Sequence, residues 1–248
     1  MVRQMSIPFK LIDAATFEYY MPDLNAWAVN ALLKWSKAQV DESFCYCWGP
    51  WGVGKTHLLN AVCHEALALS AQVFYLDCAH HRRYCPSVLE DLDAFDLICL
   101  DNIDVLMGMT SWETALFNVY NQSVIVAEKR LLVTASLPPA QIGVQLPDLR
   151  SRLLGGWVLS LSTLSEQGLQ EALMHRALQR GFHFSEHCAE YLLKYWTRCP
   201  HCLFRSLDDL DHLSLSAQRR ITIPFIKSHW SDLKRCEACT ISSDEAGV

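Results

Sequence analysis

Short apolar runs alternate with stretches of helical spacing from Thr16 to Thr163. FCYCW (44–48), QVFYLD (72–77), DLICLD (96–101), RLLVTAS (130–136) and WVLSLS (157–162) read as strands. Near-continuous hydrophobicity, without polar alternation, marks strands buried on both faces. KTHLLNAVCHEALALS (55–70) has helical spacing, as do segments around 86–94, 111–127 and 147–154. Residues 16–39 are mostly helical in pattern, with Asn25 the expected N-cap before AWAVNALLKW. Strands alternating with helices predict an α/β fold, a parallel five-stranded sheet flanked by helices.

After Thr163 the strands stop. Ser165 and Glu166 open a helix to about Gln179, which Gly181 ends. Ser185 caps a second helix through Tyr195, residues 203–220 form a third, and Pro224 starts a fourth. The expected organisation is an extended lead (1–15), an α/β domain (16–163), a small all-α domain (164–233) and a flexible polar tail (234–248).

Composition narrows the function classes. The 248 residues are 51% apolar and 19% charged, an ordinary globular balance, and the formal net charge is −6. A broad nucleic-acid face needs clustered Lys and Arg, so the acidic balance argues against one. No signal-type apolar segment or bilayer-length run is found, so a cytoplasmic protein without membrane contact is expected. The 11 cysteines are odd in number, and many sit in apolar runs, which is not a disulfide framework. Cys199-Pro-His-Cys202 resembles a thiol-exchange motif but lacks the preceding strand; with Cys236 and Cys239 it would make a four-thiolate zinc site, at a wider gap than usual. His80, His81, Arg82 and Arg83 read as a solvated loop, and Trp27, Trp35, Trp48 and Trp112 as core or core-margin residues.

The chemistry concentrates at Gly49-Pro50-Trp51-Gly52-Val53-Gly54-Lys55-Thr56-His57, after one strand and opening a helix. Glycines let backbone N–H groups turn toward a phosphate, and the helix N-terminus adds positive potential. Lys55 is placed to reach the β- and γ-phosphates, and the Thr56 hydroxyl to ligate Mg²⁺. Asp101 ends the DLICLD strand, where a carboxylate holds Mg²⁺ through water. A robust ATPase of this kind usually carries a second acid next; here the residue is Asn102, and an amide does not accept a proton near neutral pH. Asp104 stands two further on, too far round the turn to replace it. Feeble hydrolysis is the expectation.

The loop, LICLDNIDVL, LLVTASLPP, LPDLRSRLLGGW and AQRRITIPFIK, in this order, resemble the AAA+ proteins related to the bacterial replication initiator DnaA, and among them the Hda family of DnaA inactivators. The likeness runs from about Gln4 to Trp230. It implies a P-loop AAA+ sheet domain with a helical lid, and a negative regulator of replication initiation. ADP or ATP, with Mg²⁺, is the implied cofactor, the ADP-bound form being the working one. Residues 49–57 would hold the nucleotide, Asp101 the Mg²⁺, and Ser136 would stand at the first sensor position. Arg152 matches the arginine finger offered to ATP on a neighbouring subunit, with Arg150 close by. The second sensor, usually an arginine, falls at His201, with Arg198 and Arg205 flanking it.

Gln4-Met5-Ser6-Ile7-Pro8-Phe9 resembles the peptide that docks on the polymerase sliding clamp. Its glutamine supplies hydrogen bonds, Ile7 and Phe9 fill an apolar pocket, and Pro8 lowers the ordering cost. The implied partners are DnaA, the clamp and a second copy in a homodimer, with DNA reached through the clamp. Because the lid is followed by only a short tail, an origin-binding initiator is disfavoured. The competing expectations are a DnaA-like or helicase-loader-like ATPase working in a self-assembled ring on DNA, and a pure adaptor.

Overall fold

The five apolar runs are the strands of one parallel sheet: β1 (Phe44–Trp48), β2 (Val73–Asp77), β3 (Leu97–Asp101), β4 (Arg130–Ala135) and β5 (Trp157–Ser160). Their spatial order is β2-β3-β4-β1-β5. The computed structural model describes residues 15–127 and 129–233. The chain divides into two compact units, one ending at Thr163 and the other beginning at Leu164.

Side-chain alternation splits β1 to β4 between two cores, while β5, at the sheet edge, sends Trp157 and Leu159 to one of them and leaves Val158 and Ser160 exposed. Phe44, Tyr46, Ile98, Leu100, Leu131 and Val133 enter one cluster, together with Trp112, Leu116 and Leu149. Cys45, Cys47, Leu97, Cys99 and Leu132 enter the other, with Leu32, Trp35, Leu58 and Val62. The second face is covered by α1 (Ala26–Ser36) and α2 (Lys55–Ala68), the first by α3 (Thr110–Val119) and α4 (Pro147–Leu154). Burial on both faces is why the runs of β1, β3 and β4 lack polar alternation.

The N-terminal region is less helical than its spacing suggests. Two short 3-10 turns, Phe17–Tyr19 and Asp23–Asn25, precede α1. Pro22 between them disfavours a helical conformation at Met21. Asn25 makes no capping bond with its side chain. It is buried, and its carboxamide instead donates to the Ser162 carbonyl at 2.9 Å and to Tyr20 Oη at 3.2 Å, and accepts the Ser162 N–H at 2.7 Å. These bonds tie the start of α1 to the residues after β5. Asn25→Ala should therefore cost about 2–3 kcal/mol, more than a lost cap, in urea denaturation. A loss near zero would mean that water replaces all three bonds.

Other elements depart locally. Residues 86–94 form two 3-10 turns, Pro86–Leu89 and Leu92–Ala94, interrupted by Asp91 at φ 55°. α3 continues as a π-helical segment, Tyr120–Val126, through the β-branched run Val124-Ile125-Val126. The His80–Arg83 stretch is mostly exposed, as expected, but belongs to a 3-10 helix, Cys78–Arg83. Trp35 and Trp112 are core residues, whereas Trp27 is 66% exposed and does not belong there.

The second unit contains α5 (Glu166–Gln179), α6 (Glu186–Tyr195), α7 (Pro200–Ala217) and α8 (Ile223–Ser228). Leu173, Leu192, Leu203, Leu207, Leu210 and Ile226 centre its core. Ser165 caps α5 by accepting the Gly168 N–H at 2.9 Å, and Ser185 caps α6 by accepting that of Cys188 at 3.3 Å. α7 begins at Pro200, ahead of Leu203, because proline suits the first helical position. It ends at Ala217, where Gln218 turns left-handed at φ 52°.

Candidate functional site

Between β1 and α2 the backbone turns twice through left-handed conformations, at Gly52 (φ 84°) and Gly54 (φ 91°). A Cβ on Gly54 would stand 2.5 Å from the Tyr20 ring, and one on Gly49 2.6 Å from the Leu161 carbonyl oxygen. The loop is thus closely packed from behind, and Tyr20 Oη donates to the Val53 carbonyl at 2.8 Å. Lys55 is buried and its Nζ donates to the carbonyls of Gly49 (2.7 Å) and Pro50 (3.0 Å). Burial pushes the Lys55 pKa down, while the carboxylates of Asp104 and Asp101 and the Cys47 thiol push it back up. Trp51 is 51% exposed. His57 Nε2 lies 2.7 Å from the Thr16 carbonyl, and its ring tilts against that of Tyr20.

Strand alternation decides what meets this loop. Asp101 shares the parity of Leu97 and Cys99, so it points to the face covered by α2. There Thr56 Oγ1 donates to Asp101 Oδ2 at 2.6 Å, and Thr134 Oγ1 donates to Oδ1. Tyr75 Oη lies 3.5 Å from Oδ2. Asp101 is fully buried; burial pushes its carboxyl pKa up, and the Thr134 and Thr56 hydroxyls pull it down. Thr134 and Tyr75 were not singled out from the sequence. Their signal was parity: both stand on strands that the fold brings beside β3, on the face that Asp101 shares.

Asn102 adopts a left-handed backbone, φ 56°, which asparagine tolerates better than most residues. Its N–H donates to Thr134 Oγ1 at 2.9 Å, and its Nδ2 donates to Asp77 Oδ1 at 3.1 Å. The left-handed turn at Asn102 leads into a 3-10 turn, Ile103–Leu106, which carries Asp104. The Asp104 carboxylate is among the charges that push the Lys55 pKa up, and its Oδ1 is buried without a hydrogen-bond partner among the described residues. Ser136 follows β4 directly and is half-buried.

On α4, Leu149 and Leu153 enter the core, while Arg150 and Arg152 are exposed. The Arg152 guanidinium lies 5.7 Å from the centre of the Tyr120 ring. The entry to α4 is held by Glu113, a buried residue of α3. Its carboxylate accepts the N–H groups of Gly108 (2.8 Å), Gln145 (3.1 Å to each oxygen) and Leu146 (2.7 Å).

In the second unit, His201 and Arg205 lie one turn apart on α7 and both are exposed. Arg198, flanking them, is engaged with Glu166 at 3.0 Å. Cys199 is half-buried and Cys202 buried, and neither forms a disulfide with another described residue. Cys236 and Cys239 lie outside the described residues, as does the whole of Gln4–Phe9. Among the described residues no group of three or more His, Cys, Asp or Glu side chains could hold a metal ion. No helix among them is long and apolar enough to cross a membrane.

The loop fits a polyphosphate: its glycines exclude side chains, a lysine heads it, and a helix starts from it. The adjoining Thr56 hydroxyl and Asp101 carboxylate are the hard oxygen donors that Mg²⁺ prefers. Residues 12–160 match the family model of the bacterial DnaA ATPase domain. The chain belongs to this family. Residues 166–229 match the model of the Hda lid domain, which makes the chain an Hda- and DnaA-like AAA+ protein. Its fold is similar to that of domain III of the Thermotoga maritima initiator DnaA, with a TM-score of 0.79 at 19% identity, over 92% of this chain and 100% of that one. AMPPCP-bound DnaA from Aquifex aeolicus aligns with a TM-score of 0.66 at 19% identity, over 84% of this chain and 67% of the other. Thermotoga maritima RuvB (the T158V variant) gives 0.63 at 19%, over 84% and 67%.

Proposed function

We propose that this chain is a nucleotide-bound negative regulator of replication initiation, which stimulates ATP hydrolysis on DnaA in trans and turns over its own nucleotide slowly. The observation that carries this is an exposed arginine pair on α4, Arg150 and Arg152, on a DnaA-family ATPase fold whose own water-activating position is Asn102. A guanidinium offered to a neighbour's γ-phosphate stabilises charge that develops in the transition state. An amide at position 102 leaves the chain's own water without a base.

Residues 49–57 bind the phosphates of ADP or ATP. Support comes from the loop geometry and from DnaA structures described as bound to AMPPCP. Thr56 and Asp101 would hold Mg²⁺, which neutralises phosphate charge when bound. Ser136, His201 and Arg205 are assigned to the sensing of the nucleotide. Gln4–Phe9 ties the chain to the sliding clamp, which brings it to DNA without direct contact. A homodimer is part of the same proposal.

The test is single-turnover hydrolysis on ATP-loaded DnaA. Hydrolysis should accelerate when this chain and DNA-loaded clamp are both present, and deletion of residues 4–9 should abolish the clamp's contribution. Unchanged hydrolysis on DnaA in the complete mixture sinks the proposal. Turnover of the chain's own ATP at motor-like rates would favour the ring ATPase instead.

A further inference from the structure

Most cysteines of the first unit are closed to chemistry. Cys45, Cys47, Cys63, Cys78 and Cys99 are buried in its cores. Burial pushes the Cys45, Cys78 and Cys99 thiols well up and the Cys47 thiol to about 12, which keeps these four protonated and inert. Cys85 is exposed, but its nearest neighbours in sequence, Cys78 and Cys99, are both buried. The pair in the second unit is built differently. Cys199 is the N-cap of α7 and half-buried, whereas Cys202, three residues on, is fully buried. The Leu203 N–H donates to the Cys199 carbonyl at 3.0 Å, so Cys199 already belongs to the first turn. Pro200 holds the first helical position between them. Residues three apart on a helical turn have Cα atoms about 5 Å apart, within the roughly 4.4–6.8 Å that a disulfide spans. Helical side chains also lean toward the N-terminus, a lean that carries position 202 back over the turn Cys199 opens.

We propose that Cys199 and Cys202 are a reversible thiol–disulfide site, which closes across the first turn of α7 and weakens nucleotide binding when closed. Only the second clause rests on the assignment of His201 and Arg205 to the nucleotide. An accessible cysteine beside a resolving one is the arrangement of redox sensors. The oxidant is a small-molecule disulfide such as glutathione disulfide. Cys199, as thiolate, attacks one of its sulfurs; that S–S bond breaks and one thiol leaves. Cys202 then gives up its proton and attacks Cys199 Sγ; the mixed disulfide breaks and the second thiol leaves. Two protein thiols are oxidised and one small disulfide is reduced to two thiols, which carry the two protons. Cys202 is held in the packed interior, so Cys199 is the partner that moves, together with the Thr197 hydroxyl that accepts its N–H at 3.1 Å. His201 lies inside the ring so formed, and Arg205 one turn beyond it. Closure therefore fixes the turn from which both project.

The experiment equilibrates the full chain in mixtures of reduced and oxidised glutathione, then alkylates it and digests it with trypsin. Cleavage after Arg198 and Arg205 leaves both cysteines on one peptide, 199–205. In the oxidised parent this peptide should escape alkylation and be lighter by two hydrogens, and dithiothreitol should restore both alkylation sites. Cys202→Ala should stop at glutathione on Cys199, and Cys199→Ser should leave Cys202 unmodified. Affinity for a fluorescent ATP analogue should fall about fivefold or more on oxidation, the low end for coupled sites. The fall should reverse with dithiothreitol, be absent in Cys199→Ser and persist in Cys85→Ser. The site is overturned if the peptide is still fully alkylated when Cys85 already carries glutathione, or if its cysteines pair with Cys236 or Cys239 instead. Zinc bound by the reduced parent and lost in Cys199→Ser overturns it as well. A disulfide that forms while affinity stays constant upholds the site and overturns its control of the nucleotide. A parent that binds no nucleotide in either state defeats the nucleotide reading, and the peptide map still judges the disulfide. Should Cys202→Ala fold poorly, the parent and Cys199→Ser decide the matter alone.

Discussion

Arg152→Ala is expected to lower the stimulated hydrolysis on DnaA by roughly a thousandfold, the low end for an arginine finger. The side chain is exposed, and among the described residues its guanidinium lies against the Tyr120 ring. A cation–π contact at an exposed site is worth about 0.5–1 kcal/mol, so the variant should fold and bind nucleotide normally. The loss should therefore fall on the partner's chemistry alone. Arg152→Lys should recover little, since an ammonium lacks the planar fork that spans two phosphate oxygens. Single-turnover assays with clamp present, run beside Arg150→Ala, make the test decisive. Retained stimulation in Arg152→Ala with a loss in Arg150→Ala would move the role one half-turn along α4. Retention in both would leave an adaptor.

Glu113→Ala should have the largest effect on stability. The carboxylate is buried and accepts four bonds from three backbone N–H groups, two of them at the entry to α4. Removal strands these donors, at about 3 kcal/mol or more. Glu113→Gln should be intermediate, because one acceptor oxygen remains while the amide N–H₂ faces other donors. Since α4 carries Arg150 and Arg152, stimulation of DnaA should fall as well, while nucleotide affinity changes little. Urea denaturation with the stimulation assay measures both. A stability change under about 0.5 kcal/mol would place Glu113 among ordinary surface substitutions and remove its role in holding α4.

Much of the α/β unit was legible because its signals are local. Five apolar runs with helical spacing between them fix a parallel sheet, and the central runs, apolar at nearly every position, need cover on both faces. The glycine loop with its lysine is likewise a contiguous stretch, in which backbone freedom is encoded residue by residue. Asn25 shows where locality misleads. Its position before an apolar helix reads as a cap, yet a partner distant in sequence, Ser162, claims its side chain. Trp27 misled in the same way: helical spacing gave no sign that its face of α1 is left uncovered. The left-handed turn at Asn102, which opens the 3-10 turn Ile103–Leu106, is likewise invisible to periodicity.

By itself the sequence determined the five strands, the long helices, the sheet class and the phosphate loop. The tertiary structure alone decided which polar groups converge on that loop. Tyr75 and Thr134 reach Asp101 across separations of 26 and 33 residues, and Asn102 reaches Asp77 across 25. Such contacts depend on the strand order β2-β3-β4-β1-β5, which no local pattern encodes. Order emerges only when whole faces of the sheet are buried together, and only then do residues of matching parity on separate strands come within hydrogen-bonding reach.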